Sequence, residues 1–179
     1  MKTLHKILVG IIIIAGSCTG HTYTEKATHK IDSLLTQLDS AQALLLQIKS
    51  DSIAQTIKLE MKRNAPKLSA LLDTLPPDNQ TLTKTGAYMN LYKFFKKLDN
   101  KTGEIAMNLT YTVNQLNDLK HDIPLLAKSD TSKLNQYLND ETKATKIVVQ
   151  KTHELFENLQ QNKSKYHELK SVADSLLNL

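Results

Sequence analysis

The chain has 179 residues, with 23 Lys and Arg against 18 Asp and Glu and a formal net charge of +5. Arg63 is the only arginine, and the lysines are spread among acids rather than clustered; sequence-specific DNA readers lean on arginine forks at guanine, so nucleic-acid binding is not expected. Trp is absent and Gly occurs only five times, too seldom for the Gly-rich turns of a β-protein, so the composition predicts an all-α chain of long helices with narrow apolar seams.

The first 17 residues have the three parts of a secretory signal peptide. Lys2 and Lys6 form a positive start, Ile7 to Ile14 an apolar run, and Ala15-Gly16-Ser17 a stretch of small residues before Cys18. The apolar run is far short of the ~20 residues that span a bilayer, so removal of residues 1–17 is expected. Cys18 is the only cysteine; it has no intramolecular disulfide partner, and a free thiol is a liability in an oxidising compartment.

On these residues the leader resembles that of a bacterial lipoprotein. Ala15-Gly16-Ser17-Cys18 is similar to the lipobox, in which the cysteine is acylated and becomes the mature N-terminus. The chain departs from the family in having Ala15 where Leu is preferred, and Ala15 and Ser17 also fit ordinary signal-peptidase cleavage, which would leave a lipid-free periplasmic protein. The resemblance implies a lipid bilayer as partner, held through acylated Cys18. Three acyl chains on one residue make attachment effectively permanent. Thr19 stands where Asp would signal inner-membrane retention, which implies the outer membrane of a Gram-negative bacterium.

Residues 18–28 are polar and aperiodic and read as a lipidated tether, with a frayed helix start as the alternative. Residues 29–179 read as one helical bundle domain. A first helix is predicted from about Glu25 to about Leu75, with apolar positions Ile31, Leu34, Leu35, Leu38, Ala41, Leu45 and Ile48 at three- and four-residue steps. The pattern slips between Ile48 and Ile53, then resumes through Ile57, Met61, Leu68, Leu71, Leu72 and Leu75. Pro66 is expected to be the real interruption, kinking this helix or splitting it in two. Leu75-Pro76-Pro77-Asp78-Asn79 is a clear stop with capping residues behind it.

A second helix is predicted from about Gln80 to about His121. Its seam is Leu91, Phe95, Leu98, Thr102, Ile105, Leu109, Thr112, Leu116 and Leu119, with Ile123 in register. These steps alternate four and three as a heptad repeat does. His121-Asp122-Ile123-Pro124 reads as the second stop, with Leu125, Leu126 and Ala127 covering the bundle end. A third helix is predicted from Thr131 to Leu177, with seam residues Leu134, Leu138, Glu141, Thr145, Val148, Thr152, Leu155, Leu159, Asn162, Tyr166, Leu169, Ala173 and Leu176; Ile147, Val149 and Phe156 widen its apolar face. Two short turns make the three helices antiparallel neighbours. The expected fold is thus an elongated three-helix antiparallel bundle or coiled coil, with a fourth helix if Pro66 breaks the first.

The chain offers little chemistry. No phosphate loop, GxSxG or HExxH motif occurs, and no two histidines stand one helical turn apart. Asp118, His121 and Asp122 could hold a metal but read better as a solvated helix end. Tyr88, Tyr92, Phe94 and Phe95 with Lys93, Lys96 and Lys97 read as core aromatics flanked by solvated lysines. No catalytic residue, cofactor or metal is expected. The Asp-Ser/Thr-apolar tripeptide occurs five times where composition gives about one. It resembles the O-glycosylation sequon that one group of Gram-negative bacteria uses on exported proteins, which implies Ser33, Ser40, Ser52, Thr74 and Ser175 as acceptors.

The whole resembles small helical envelope lipoproteins of Gram-negative bacteria. The expected role is a non-enzymatic membrane-anchored spacer, scaffold or adaptor for another envelope protein, with Ser52, Thr102 and Asn162 marking imperfect seam where a partner helix would dock. A small-ligand or lipid-binding module, which needs an apolar cavity, and a lipid-free periplasmic chaperone are the alternatives.

Overall fold

The computed structural model describes residues 18–74 and 78–178; side chains are described from Thr22 onward, with that of Asn79 excepted. The leader, the thiol of Cys18, and Leu75, Pro76 and Pro77 lie outside the described residues. Among those described, the chain is helical except at Asp51, Asp78, Lys97, Asp130 and Asn178. Five helices result: α1 (Cys18–Ser50), α2 (Ser52–Thr74), α3 (Asn79–Lys96), α4 (Leu98–Ser129) and α5 (Thr131–Leu177).

Three of the four breaks between helices are built by one device. Asp51, Asp78 and Asp130 each accept, through Oδ1, a hydrogen bond from the backbone N–H three residues on, at Ala54 (2.9 Å), Thr81 (2.7 Å) and Lys133 (2.9 Å). Each carboxylate thereby satisfies an amide that the first turn of a helix leaves without a partner. The fourth break, Lys97, is one residue wide. Its N–H donates to Phe94 O at 3.1 Å, and Lys101 N–H already donates to Lys97 O at 3.0 Å.

The first predicted helix is interrupted at Asp51 and not at Pro66. Pro66 lies inside α2. It is exposed, as is Lys62 one turn before it, while Met61, Ala65 and Leu68 on the opposite face are buried. The carbonyl freed by the missing N–H therefore faces water, and packing holds the helix together. The slip after Ile48 has a different reading too. Ile53 is 52% exposed, and the buried series is Leu45, Ile48, Ala54, Ile57, with half-buried Asp51 in the remaining register position. These steps are all of three residues. At about 100° per residue, an unbroken helix would carry Ile57 about 120° round from Leu45. The break at Asp51 resets the face.

Residues 18–28 belong to α1, in line with the alternative of a helix start, and Tyr23 Oη donates to Asn135 Oδ1 at 2.5 Å. Two other expectations are corrected. The stop at His121–Pro124 is absent: α4 runs through exposed Pro124 to Ser129, and Leu125 is 69% exposed rather than covering a core. Ile147, expected to widen the core face of α5, is 55% exposed. By contrast, all ten predicted seam residues of the second helix, from Leu91 to Ile123, are buried.

The chain forms two compact units. One contains the chain up to Ala41 with Asn108–Val149, the other Gln42–Met107 with Gln150–Leu179. In the first, Ile31, Leu34 and Leu38 of α1, Leu116 and Ile123 of α4, and Leu134 of α5 are buried, and Lys120 Nζ donates to Asp32 Oδ1 at 2.5 Å between α1 and α4. The second holds Met61 and Leu68 of α2, Tyr88 and Phe95 of α3, and Leu159 and Tyr166 of α5 in its core. Within it, α5 pairs with the α1–α2 junction at Asp51–Lys163 and with α2 at Glu60–Lys170, so α2 and α5 run the same way. Glu104–Lys151 and Tyr88–Tyr166 show α3 and α4 running against α5.

Candidate functional site

The polar groups that enter the helix seams include locally bonded threonines and charged pairs. The buried threonines Thr85, Thr102 and Thr112 donate to carbonyls of their own helices, at Thr81 O (2.8 Å), Asp99 O (2.9 Å) and Asn108 O (2.9 Å). Their hydroxyls are satisfied locally and present a methyl to the core. Charged groups form two layers instead, both within the second unit.

The first layer surrounds the α1–α2 junction. The Asp51 carboxylate uses one oxygen to cap α2 and the other to accept from Lys163 Nζ at 2.6 Å; the two side chains are only 14% and 16% exposed. Burial works against its charge, but the Lys163 ammonium and the Ala54 amide outweigh that, and the Asp51 carboxyl titrates below its ordinary range. Beside it, Lys58 of α2 pairs with Asp99 of α4. A groove of about 290 Å³ lies here, lined by Ile48, Lys49, Gln55, Leu98, Asp99, Thr102 and Gly103. A Cβ at Gly103 would meet nothing within 4 Å. Of the three imperfect seam positions, Thr102 lines this groove, Ser52 opens α2 directly after Asp51, and Asn162 precedes Lys163, the partner of Asp51.

The second layer was not foreseen. Lys170 on α5 pairs with Glu60 of α2 and with Asp174 one turn on, at 3.0 Å from its Oδ2. Tyr166 packs beside this cluster, with its ring centroid 6.3 Å from that of Tyr88. The Tyr166 hydroxyl is buried without a hydrogen-bond partner. Burial first, then the Glu60 carboxylate, which lies close to the hydroxyl but outside hydrogen-bond geometry, pushes its pKa far up. Burial also raises Tyr88, while Lys170 holds Glu60 below the ordinary carboxylate range against the effect of burial. Glu60 and Lys170 are 110 residues apart. Each sits next to a seam position, at Met61 and Leu169, and that adjacency was the one sequence signal available.

No protein-family model, curated protein or solved structure matches the chain.

The predicted glycosylation acceptors Ser33, Ser40, Ser52, Thr74 and Ser175 are all exposed. Ser40, Thr74 and Ser175 donate to carbonyls of their own helices. Ser52 opens α2 and Thr74 closes it, whereas Ser33, Ser40 and Ser175 lie within helices. Asp118, His121 and Asp122 are exposed on α4, and no group of three or more metal-binding side chains occurs among the described residues. In the basic-aromatic stretch, Tyr88 and Phe95 are core residues, Tyr92 and Phe94 are half-buried, and Lys93, Lys96 and Lys97 are exposed. Lys101 lies over the Phe94 ring at 5.2 Å. Among the described residues no helix is long and apolar enough to cross a membrane.

Two further grooves of the second unit, about 190 and 240 Å³, are lined by Glu104, Lys151 and Glu154, and by Thr81, Val172 and Leu176, among others. These and the junction groove fall below the roughly 300–1,000 Å³ of typical small-molecule sites.

Proposed function

We propose that the protein is a non-enzymatic envelope lipoprotein, anchored through acylated Cys18 in the outer membrane of a Gram-negative bacterium. Its helices act as a spacer, scaffold or adaptor for another envelope protein. One observation carries the reading: the only cysteine of the chain directly follows Ala15-Gly16-Ser17 at the end of a short apolar leader. The alternating seams of α4 and α5 support a three-helix antiparallel architecture, with α1 and α2 as one leg, α3 and α4 as the second and α5 as the third. Helix faces, rather than a deep cavity, are then the working surfaces, and the groove at Thr102 and Gly103 is the docking position for a partner helix.

The test is the intact mass of the native protein, extracted from membranes of its own host. The expected mass is that of residues 18–179 plus three acyl chains. Additional hexose-sized increments would mark Ser33, Ser40, Ser52, Thr74 or Ser175 as glycosylated. An unmodified protein in the soluble fraction would overturn the anchor.

A further inference from the structure

The two helix breaks at Asp51 and Lys97 lie at one level. A single groove is lined by Ile48 and Lys49 just before the first break, Gln55 just after it, and Leu98, Asp99 and Thr102 just after the second. The Lys58–Asp99 pair crosses between α2 and α4 at this level. Two packed helices can swing as a body only where the backbone can change direction at both of their ends together. At both points the N–H of the break residue leaves the regular helical pattern for a carbonyl three residues back, Asp51 N–H to Ile48 O at 3.4 Å and Lys97 N–H to Phe94 O at 3.1 Å.

The interface that α2 and α3 share with α5 also differs from an ordinary apolar seam. It contains Leu68, Thr85, Tyr88, Leu169 and Ala173 around a space with no room for water. It also contains the Glu60–Lys170–Asp174 cluster and the unpartnered Tyr166 hydroxyl. Opening would expose apolar surface and part these charged pairs at a cost, but it would hydrate the buried Tyr166 hydroxyl.

We propose that α2 and α3 form a flap within the second unit, hinged at Asp51 and Lys97 and latched to α5 by the Asp51–Lys163 and Glu60–Lys170 pairs. The flap opens as one cooperative unit, below the free energy of global unfolding.

Hydrogen exchange of the full chain tests this. In the wild type, amides over residues 52–96 should share one opening free energy, lower than that of residues 108–129. Lys163→Gln keeps the Asp51 cap but removes the latch. It should speed exchange about tenfold or more, the scale of a lost charge-assisted hydrogen bond, over residues 52–96 and on the facing part of α5, residues 159–173. Residues 108–129 should be unchanged. Lys170→Gln, which leaves the junction intact, should accelerate the same set. A rise confined to the first turn of α2, a uniform rise in every helix, or no change in either variant would overturn the flap.

Discussion

The Tyr166 ring packs 6.3 Å from the Tyr88 ring, and its buried hydroxyl finds no hydrogen-bond partner beside Glu60. A buried hydroxyl left unsatisfied costs about 1–3 kcal/mol. Tyr166→Phe is therefore expected to keep or raise the melting temperature, whereas Tyr88→Ala should lose about 3–5 kcal/mol, as large aromatic truncations do. Thermal unfolding of the two variants checks both. A large loss on Tyr166→Phe would mean that the hydroxyl is bonded to Glu60 in solution.

The same pair sets the alkaline limit. The pKa values of Tyr88 and Tyr166 are raised in the fold, mainly by burial. A raised pKa means that the protonated form is favoured when folded, so this contribution is complete below about pH 10, the unfolded value, and is lost as pH rises beyond it. In an ultraviolet titration Tyr88 and Tyr166 should resist ionisation until the protein unfolds, with stability falling above about pH 10.

At the acid end the sign reverses. Asp51 and Glu60 have lowered pKa values in the folded chain. Their stabilisation is present above about pH 4, where the unfolded carboxylates ionise, and fades as pH falls through the folded values. The melting temperature should stay level from pH 7 to 5 and drop below pH 4. Asp51→Asn, which can still cap α2 but cannot pair as an anion with Lys163, should show a shallower acid drop.

Seam threonines should divide by how their hydroxyls are satisfied. Thr145 is fully buried, and its Oγ1 has no hydrogen-bond partner. Thr145→Val should stabilise by about 1 kcal/mol, by removing an unsatisfied group. Thr102→Val replaces a hydroxyl already bonded to Asp99 O and should change stability by less than about 0.5 kcal/mol. Denaturant midpoints measured at equal slope distinguish the two outcomes.

Glycine in a helix interior is a local weakness. A Cβ at Gly86 or Gly103 would meet nothing within 4 Å. Gly86→Ala and Gly103→Ala should each stabilise the free protein by about 0.5–1 kcal/mol. A partner helix seated at the groove should tolerate Gly86→Ala but bind less well to Gly103→Ala, as measured by titration calorimetry.

The helical class and the register of the long helices were legible from residue order alone. The four-and-three alternation from Leu91 to Ile123 depends only on the 3.6-residue turn, and every one of those side chains is buried. The same rule placed Leu134, Thr145, Leu159 and Tyr166 on the core face of α5. What tertiary structure decided was where helices end and which charges meet. Pro66 is a strong local breaker, yet the burial of Met61, Ala65 and Leu68 on the far side carries α2 through it. Asp51, which in the sequence stands out only as part of a repeated Asp-Ser/Thr tripeptide, breaks the chain instead, because its carboxylate caps the new helix and meets Lys163 from 112 residues away. Local propensity is a matter of up to about 1 kcal/mol for most residues and about 3 kcal/mol for proline. Packing and long-range charge pairing exceed it, and they exist only once distant segments have been brought together.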